Sequence, residues 1–293
     1  MLNHSFFRYL EFEKRFSQHT LTAYKTDLEQ YSNYLKQQFE LDDTEHVPHT
    51  IIRSWIVSMM DANMKSKSIN RKISTLKTYY KFLQREGLIQ NNPMNKIISP
   101  KVPKRLPQFV EQSQMNSLLE DVDFENNFDG FRDRLIIEFF YATGMRISEL
   151  SGLKHVDVDI HRKFIKVLGK RNKERIIPIS DEIIPLINQY LNLKDSIGLS
   201  DTSYFFVRNN GEKMYNEKIY RMVKSELSKV TTIQKKSPHV LRHTFATHML
   251  NNGADLNAIK EILGHSSLAA TQVYTHNTIE KLKLIYKQAH PKS

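Results

Sequence analysis

The chain has 293 residues, 40% of them hydrophobic and 26% charged, and no cysteine. That composition excludes a disordered chain, a disulfide framework, cysteine nucleophiles and thiolate metal sites. Forty-three Lys and Arg against 32 Asp and Glu give a net charge of +11, a balance that favours a polyanionic partner, most often nucleic acid. No apolar run is long enough to cross a bilayer as a helix, and Met1 to Arg15 carry no signal-peptide pattern, so a cytoplasmic, reducing location without membrane insertion is expected.

The first hundred residues read as helices. Leu21, Tyr24, Leu28, Tyr31 and Leu35 recur at three- and four-residue spacing, with Thr20 offered as the N-cap. Ile52, Trp55, Ile56 and Met59 form a second face after Pro48. Ile69, Ile73, Leu76, Tyr80 and Leu83 form a third, with Ser66 or Ser68 as its cap. From Lys65 to Arg105 eleven Lys and Arg stand against one acid, Glu86, whereas residues 108–293 hold 26 basic and 22 acidic residues. On the third helix Arg71, Lys72, Lys77, Lys81 and Arg85 are expected mostly off the apolar stripe, so that one face packs and another meets phosphates. Gly87 stops this helix, and Asn92-Pro93 begins a turn. Ser99 to Pro107 holds three prolines and three basic residues in nine positions, without periodicity. It reads as an extended linker and places the domain boundary.

The second part is mixed. Helical patterns run near 111–122 and 131–142. Phe164 to Leu168 and Arg175 to Pro178, joined by the polar run Gly169 to Glu174, predict a β-hairpin. A helix is expected over 181–192, a short strand over Tyr204 to Val207, and helices again from about Glu217 to Asn277, punctuated by Gly253 and Gly264. Thr278 to Ser293 reads as a short, basic amphipathic helix.

Nucleotide and dinucleotide loops and the nucleophile-elbow pattern are missing. His239, His243 and His248 lack the His-Glu-x-x-His pattern and an acidic neighbour, which argues against a metal site. Asp42-Asp43 and Asp157/Asp159 fall in polar turns. What stands out is a basic set: Arg146 after an apolar helix, Lys170 at the hairpin tip, His239 and Arg242 three apart on one helix face, His265 after Gly264, and Tyr274. Singly, each has a structural explanation. Arg146 can pair with Glu149, His239 can cap a helix after Pro238, His265 can cap a C-terminus, and Tyr274 can pack.

Together they sit in five ordered motifs: Ala142-Thr-Gly-Met-Arg-Ile-Ser-Glu-Leu150, Gly169-Lys-Arg-Asn-Lys-Glu-Arg175, His239-Val-Leu-Arg-His-Thr-Phe-Ala-Thr-His248, Leu263-Gly-His-Ser-Ser267 and Val273-Tyr-Thr-His276. In order and spacing these resemble the tyrosine recombinase family, and within it the bacterial Xer recombinases. The resemblance covers nearly the whole chain. It implies a mainly α fold with a small antiparallel β-sheet, in two domains that clamp duplex DNA as a C: a helical, SAM-like core-binding domain over 1–103, a linker over 104–107 and a catalytic domain over 108–293.

The resemblance also implies roles. Arg146 and Arg242 match the two catalytic arginines, Lys170 the hairpin lysine, His239 and His265 the two active-site histidines, and Tyr274 the nucleophile. The chemistry fits. Two guanidiniums can hold the non-bridging oxygens of a phosphodiester as charge builds on them. A phosphotyrosine ester keeps the bond energy, so neither a nucleotide cofactor nor a metal is called for. His239 is the candidate base for a phenol of pKa roughly 10. Lys170, its pKa lowered beside Arg171 and Lys173, suits protonation of a leaving 5′-oxygen.

The implied function is site-specific recombination, with chromosome-dimer resolution favoured because the length leaves no room for a further arm-binding domain. Integration or transposition of a mobile element, a type IB topoisomerase and a catalytically silent architectural factor are the alternatives. The implied assembly is a tetramer on DNA, of one chain or with a paralogous recombinase, in which the C-terminal tail docks into a neighbouring subunit. A DNA translocase is the expected kind of regulator.

Overall fold

The computed structural model describes residues 2–103, 108–169, 174–264 and 284–291. The chain divides into two units, Met1–Arg105 and Leu106–Ser293.

The first unit is all helical. α1 (Leu2–Arg8) runs on as a π-helical turn over Tyr9–Glu13, and α2 (Gln18–Phe39), α3 (His49–Asp61) and α4 (Ser66–Arg85) follow. The apolar stripes read from the sequence become one core, in which Leu28, Tyr31 and Leu35 meet Ile52, Trp55, Ile56 and Met59 and the Ile69–Leu83 face. The caps differ from expectation. The hydroxyl of Ser17, not Thr20, caps α2 by accepting from the Thr20 N–H (3.4 Å). α4 starts after Lys65 with no side-chain cap, and Ser66 and Ser68 lie inside it. Asn92 does turn the chain, its side chain accepting from the Met94 N–H at 2.9 Å.

The basic face of α4 is narrower than expected. Asp27 of α2 is fully buried and draws in Arg71 (2.5 Å), Lys72 (2.9 Å) and the Thr75 hydroxyl (2.8 Å). Arg85 pairs with Glu13 and Glu86. That leaves Lys65, Lys67, Lys77 and Lys81 exposed, with no ion partner among the described residues. The reason is solvation: an aspartate in a helix interface needs compensating donors, and the nearest cations supply them.

The second unit holds α5 (Gln112–Glu120), α6 (Phe128–Thr143), α7 (Ile147–Ser151), strands β1 (Val158–Asp159), β2 (Phe164–Leu168) and β3 (Glu174–Pro178), then α8 (Ile183–Ser196), α9 (Asn216–Val230), α10 (Pro238–Asn251) and α11 (Leu256–Leu263). The strands form an antiparallel sheet in the order β1-β2-β3, with Ile165 opposite Ile177 and Val167 opposite Arg175. The β2–β3 hairpin is as expected, and β1 is an addition at its edge. α6 and α10 are buried on several sides and lie at the centre of this unit's core.

The expected strand at Tyr204–Val207 is not one. It makes only isolated bridges, Lys154 to Tyr204 and Val207 to Lys213. Side chains satisfy its backbone instead. The Lys194 ammonium donates to the Tyr204 and Phe205 carbonyls, and the Tyr190 hydroxyl donates to that of Phe205. Lys194 is buried, and that desolvation pushes its pKa down to about 8.

Of the tail, residues 284–291 are described, and in the single chain they pack on their own unit. Tyr286 stacks on His290 (4.7 Å, 6°) and donates to the Ala142 carbonyl at 2.8 Å, and the Asn252 amide donates to Ala289. The apolar side of the segment finds the end of α6 open to it.

Replacing Asp27 with alanine is expected to lower the unfolding free energy of the first unit by about 3–5 kcal/mol, because Lys72 is left buried without a counter-ion, with the neutral Gln30 amide as its remaining contact. Denaturant unfolding followed by fluorescence of Trp55, the one tryptophan in the chain and 4% exposed, reads that unit directly. A loss under about 1 kcal/mol would mean that the pair is replaceable by water.

Candidate active site

Glycine sets the entry to the site. α6 ends at Gly144 (φ +58), where a Cβ would lie 2.5 Å from the Phe245 ring and 2.7 Å from Leu263. Only glycine combines this left-handed turn with that close packing. The turn delivers Arg146 as the N-cap residue of α7, and Glu149 at the third position of α7 reaches back to accept from the Arg146 N–H at 2.7 Å.

Glu149 is the hub. Its side chain is only 4% exposed, and three guanidinium groups surround it. Arg175 of β3 approaches as a fork, NH1 to Oε1 and NH2 to Oε2, both at 2.8 Å. Arg146 NH1 donates to Oε1 at 2.7 Å. Against the cost of burial, these cations hold the carboxyl at about 2 rather than 4.5. Arg242, from the first half of α10, is also buried, and it faces backbone carbonyls rather than an acid. Burial, and then Arg146 and Arg175 nearby, lower its pKa to about 10.

The C-terminus of α11 ties the three arginines together. The carbonyl of Ile262 accepts from Arg175 Nε (2.6 Å), that of Leu263 from Arg242 NH2 (2.6 Å), and that of Gly264 from Arg146 NH2 (3.4 Å). These are the carbonyls that a helix end leaves unpaired, and the negative end of its dipole favours cations. Arg242 NH1 donates to the Gly144 carbonyl at 2.6 Å, so both ends of the cluster meet at one turn. A guanidinium carries five N–H donors. Arg146 and Arg242 each retain three with no partner among the described residues.

The structure therefore brings together Arg146 and Arg242, as the sequence motifs implied. His239 lies one turn before Arg242 on α10, exposed and without a hydrogen bond among the described residues. Pro238 starts that helix at its first position. Lys170, His265 and Tyr274 lie outside the described residues. His248, the last histidine of the trio weighed above, faces the Tyr141 hydroxyl through Nδ1 at 2.9 Å. Two residues had no role assigned from sequence. From sequence Glu149 is only a pairing partner for Arg146, and Arg175 only the start of a strand. A signal for Arg175 was present: it shares the inward strand face with Ile177, and a cation on an inward face announces a buried ion pair.

The sequence matches the model of the phage integrase family over residues 108–281 and that of the phage integrase N-terminal SAM-like domain over residues 4–87. Among similar proteins, the tyrosine recombinase XerC of Chlorobaculum parvum is 35% identical over 98% of this chain and 93% of its own length. The tyrosine recombinase XerD of Staphylococcus haemolyticus is 36% identical over 98% of both. Among solved structures, the Tn1549 transposon integrase with transposon right-end DNA superposes with a TM-score of 0.71 at 19% identity, covering 96% of this chain and 97% of that one. The site-specific recombinase XerH in a post-cleavage complex with difH superposes with a TM-score of 0.70 at 18% identity, covering 92% and 76%. The last two share its fold.

Because the Glu149 carboxyl is depressed in the folded state, its stabilisation is complete above its unfolded value of 4.5 and is lost as the pH falls toward about 2. Glu149→Gln should destabilise the second unit by about 2–3 kcal/mol at pH 7, and the gap from wild type should close as the pH falls through that window. Thermal unfolding by circular dichroism at several pH values reads it. A gap independent of pH would assign the loss to packing.

Proposed function

The chain belongs to the phage integrase family and is a site-specific tyrosine recombinase, an enzyme that cuts and rejoins DNA through a phosphotyrosine intermediate, and on that footing we propose that it resolves chromosome dimers at segregation. The observation that carries the catalytic reading is the convergence of Arg146 and Arg242 on one turn, each with donors to spare among the described residues, where the cluster holds more cations than anions. A phosphodiester is the anion that such a site fits.

In this reading Tyr274 Oη attacks the scissile phosphorus and its proton passes to His239. A 3′-phosphotyrosine ester forms as the bond to the 5′-oxygen breaks, and Lys170 protonates the leaving oxygen. Arg146 and Arg242 hold the non-bridging oxygens, and His265 donates a further hydrogen bond to them. The 5′-hydroxyl of another strand then attacks the ester and releases Tyr274. The ester conserves the bond energy, so strand exchange runs without ATP.

The housekeeping role is supported by relatives named XerC and XerD, which this chain matches along nearly their whole length. We take the partners to be duplex DNA and three further subunits, of this chain or of a paralogue, with a DNA translocase as regulator, acting in the cytoplasm. Among the described residues no helix is long and apolar enough to cross a membrane. Residues 1–103 then serve as the core-binding domain and 108–293 as the catalytic domain, with 104–107 between them.

Two outcomes test this. On DNA carrying the recombination site, wild type should form an SDS-resistant, protease-sensitive adduct without metal or ATP, and Tyr274→Phe should form none. Tight binding without an adduct would point to an architectural factor. Lys77→Ala and Lys81→Ala should weaken binding to all sequences and each reduce the slope of log K against log salt by about 1. Unchanged slopes would remove α4 from the phosphate-tracking surface.

A further inference from the structure

We infer that Arg175 is a positioning residue of the cleavage reaction, acting on Arg146 through Glu149 and on the turn before His265 through the Ile262 carbonyl. The inference rests on the recombinase reading above. It goes beyond the six residues that reading uses.

Arg175 is a side chain of the sheet, yet every polar contact it makes among the described residues is to the site. The fork on Glu149 uses NH1 and NH2, and Nε donates to Ile262 at the end of α11. Its own strand, β3, pairs with β2 and follows Lys170 in the sequence. One buried guanidinium, 4% exposed, thus bolts three elements together: the hairpin, α7 and α11. Each of these elements carries or adjoins a residue of the proposed machinery. Gly264 belongs to the same fitting. A Cβ there would lie 3.0 Å from Arg175 Cδ and 3.2 Å from its NH1, so the turn leading to His265 closes over the arginine only because it is glycine.

The charge logic runs the same way. If Glu149 had Arg146 alone, the pair would be free to close as a fork, taking up the donors that a phosphate needs. Arg175 occupies that fork. Arg146 then makes a single-pronged side-chain contact to Oε1 and keeps three donors without a partner among the described residues. Arg175 also keeps Glu149 ionised. Of the groups facing this carboxyl, Arg146 comes from the start of α7, Arg175 from β3, and Arg242 from α10. Without Arg175 the desolvated carboxyl shifts upward and protonates in mildly acidic solution, and its hold on Arg146 goes with the charge.

The test uses the full chain and single-turnover cleavage of a nicked recombination-site DNA that traps the adduct. Arg175→Met should slow adduct formation by about 100-fold, the penalty of a catalytic group displaced by an ångström or so. DNA affinity should stay within about threefold. The variant's rate should also gain an acid limb that wild type lacks, as Glu149 titrates. Arg175→Lys, which restores a cation but not the fork, should recover part of the rate and should fold where Arg175→Met does not. In a Glu149→Gln background, Arg175→Met should cost much less than it does alone, because it acts through that carboxylate. A wild-type rate in either Arg175 variant, a loss with no acid limb, or a full loss in the Glu149→Gln background would overturn the inference. An absence of adduct in wild type is a separate result and counts against the recombinase reading itself. In that case the Glu149 carboxyl titration, followed by NMR in Arg175→Met, still decides whether Arg175 sets that charge.

Discussion

Three guanidinium groups meet at the C-terminus of one short helix, and a single buried carboxylate stands among them. Much of the second unit is arranged around that contact. Helix α11 ends with three successive carbonyls, and each takes an N–H from a different arginine: one from β3, one from α10 and one from the cap of α7. A helix end buried without partners would be costly. Here the partners come from three distant points of the chain, so the contact fixes tertiary structure and site together. The glycines at 144 and 264 are the steric conditions for it, since both turn left-handed where a side chain would strike the packing or the arginine.

The electrostatics of the cluster are deliberately uneven. Glu149 balances one of the cations, and Arg242 is buried against carbonyl dipoles with its pKa pulled down to about 10. A buried cation that pairs with carbonyls and shares its nearest carboxylate with two other arginines is a cost the fold carries. An anion at the open donors of Arg146 and Arg242 would relieve it, and a phosphodiester gaining charge in the transition state would relieve it most. The strain in the free protein and the affinity for the transition state are thus one property. The first unit shows the contrasting case. There Asp27 is buried at the centre of its group and holds Arg71 and Lys72 directly, and the exposed lysines of α4 stand apart from it.

How much of this the sequence made legible depended on whether the signal was local. The helices were readable because a 3.6-residue stripe is a local pattern, and Leu28, Tyr31, Trp55 and Ile73 fall in the core as their spacing predicted. Arg146, His239 and Arg242 were readable as motif positions. Cap choice was less legible, because Ser17 and Thr20 are both good caps and the entry of the chain decides between them. The aromatic run Tyr204–Val207 has strand propensity, but the side chains of Lys194 and Tyr190 claimed its carbonyls. The buried pairings of Lys72 and Arg175 were not legible for one reason: each is a cation whose partner lies far off in sequence, Asp27 in one case and Glu149 in the other. Asp27 inside the α2 stripe and Arg175 on the inward face of β3 were the available signs.

The central claim is that Arg146 and Arg242 form an anion site completed by the non-bridging oxygens of the scissile phosphate. Removing the phosphate's charge tests it most directly. Adduct formation by wild type, Arg146→Ala and Arg242→Ala would be compared on a normal site and on one whose scissile phosphate is a methylphosphonate, which is neutral. The account predicts that each arginine substitution is at least about tenfold less damaging on the neutral substrate, because there is less charge to stabilise. Equal losses on both substrates would contradict it, and would make the arginines structural supports of the α11 terminus rather than a grip on phosphate.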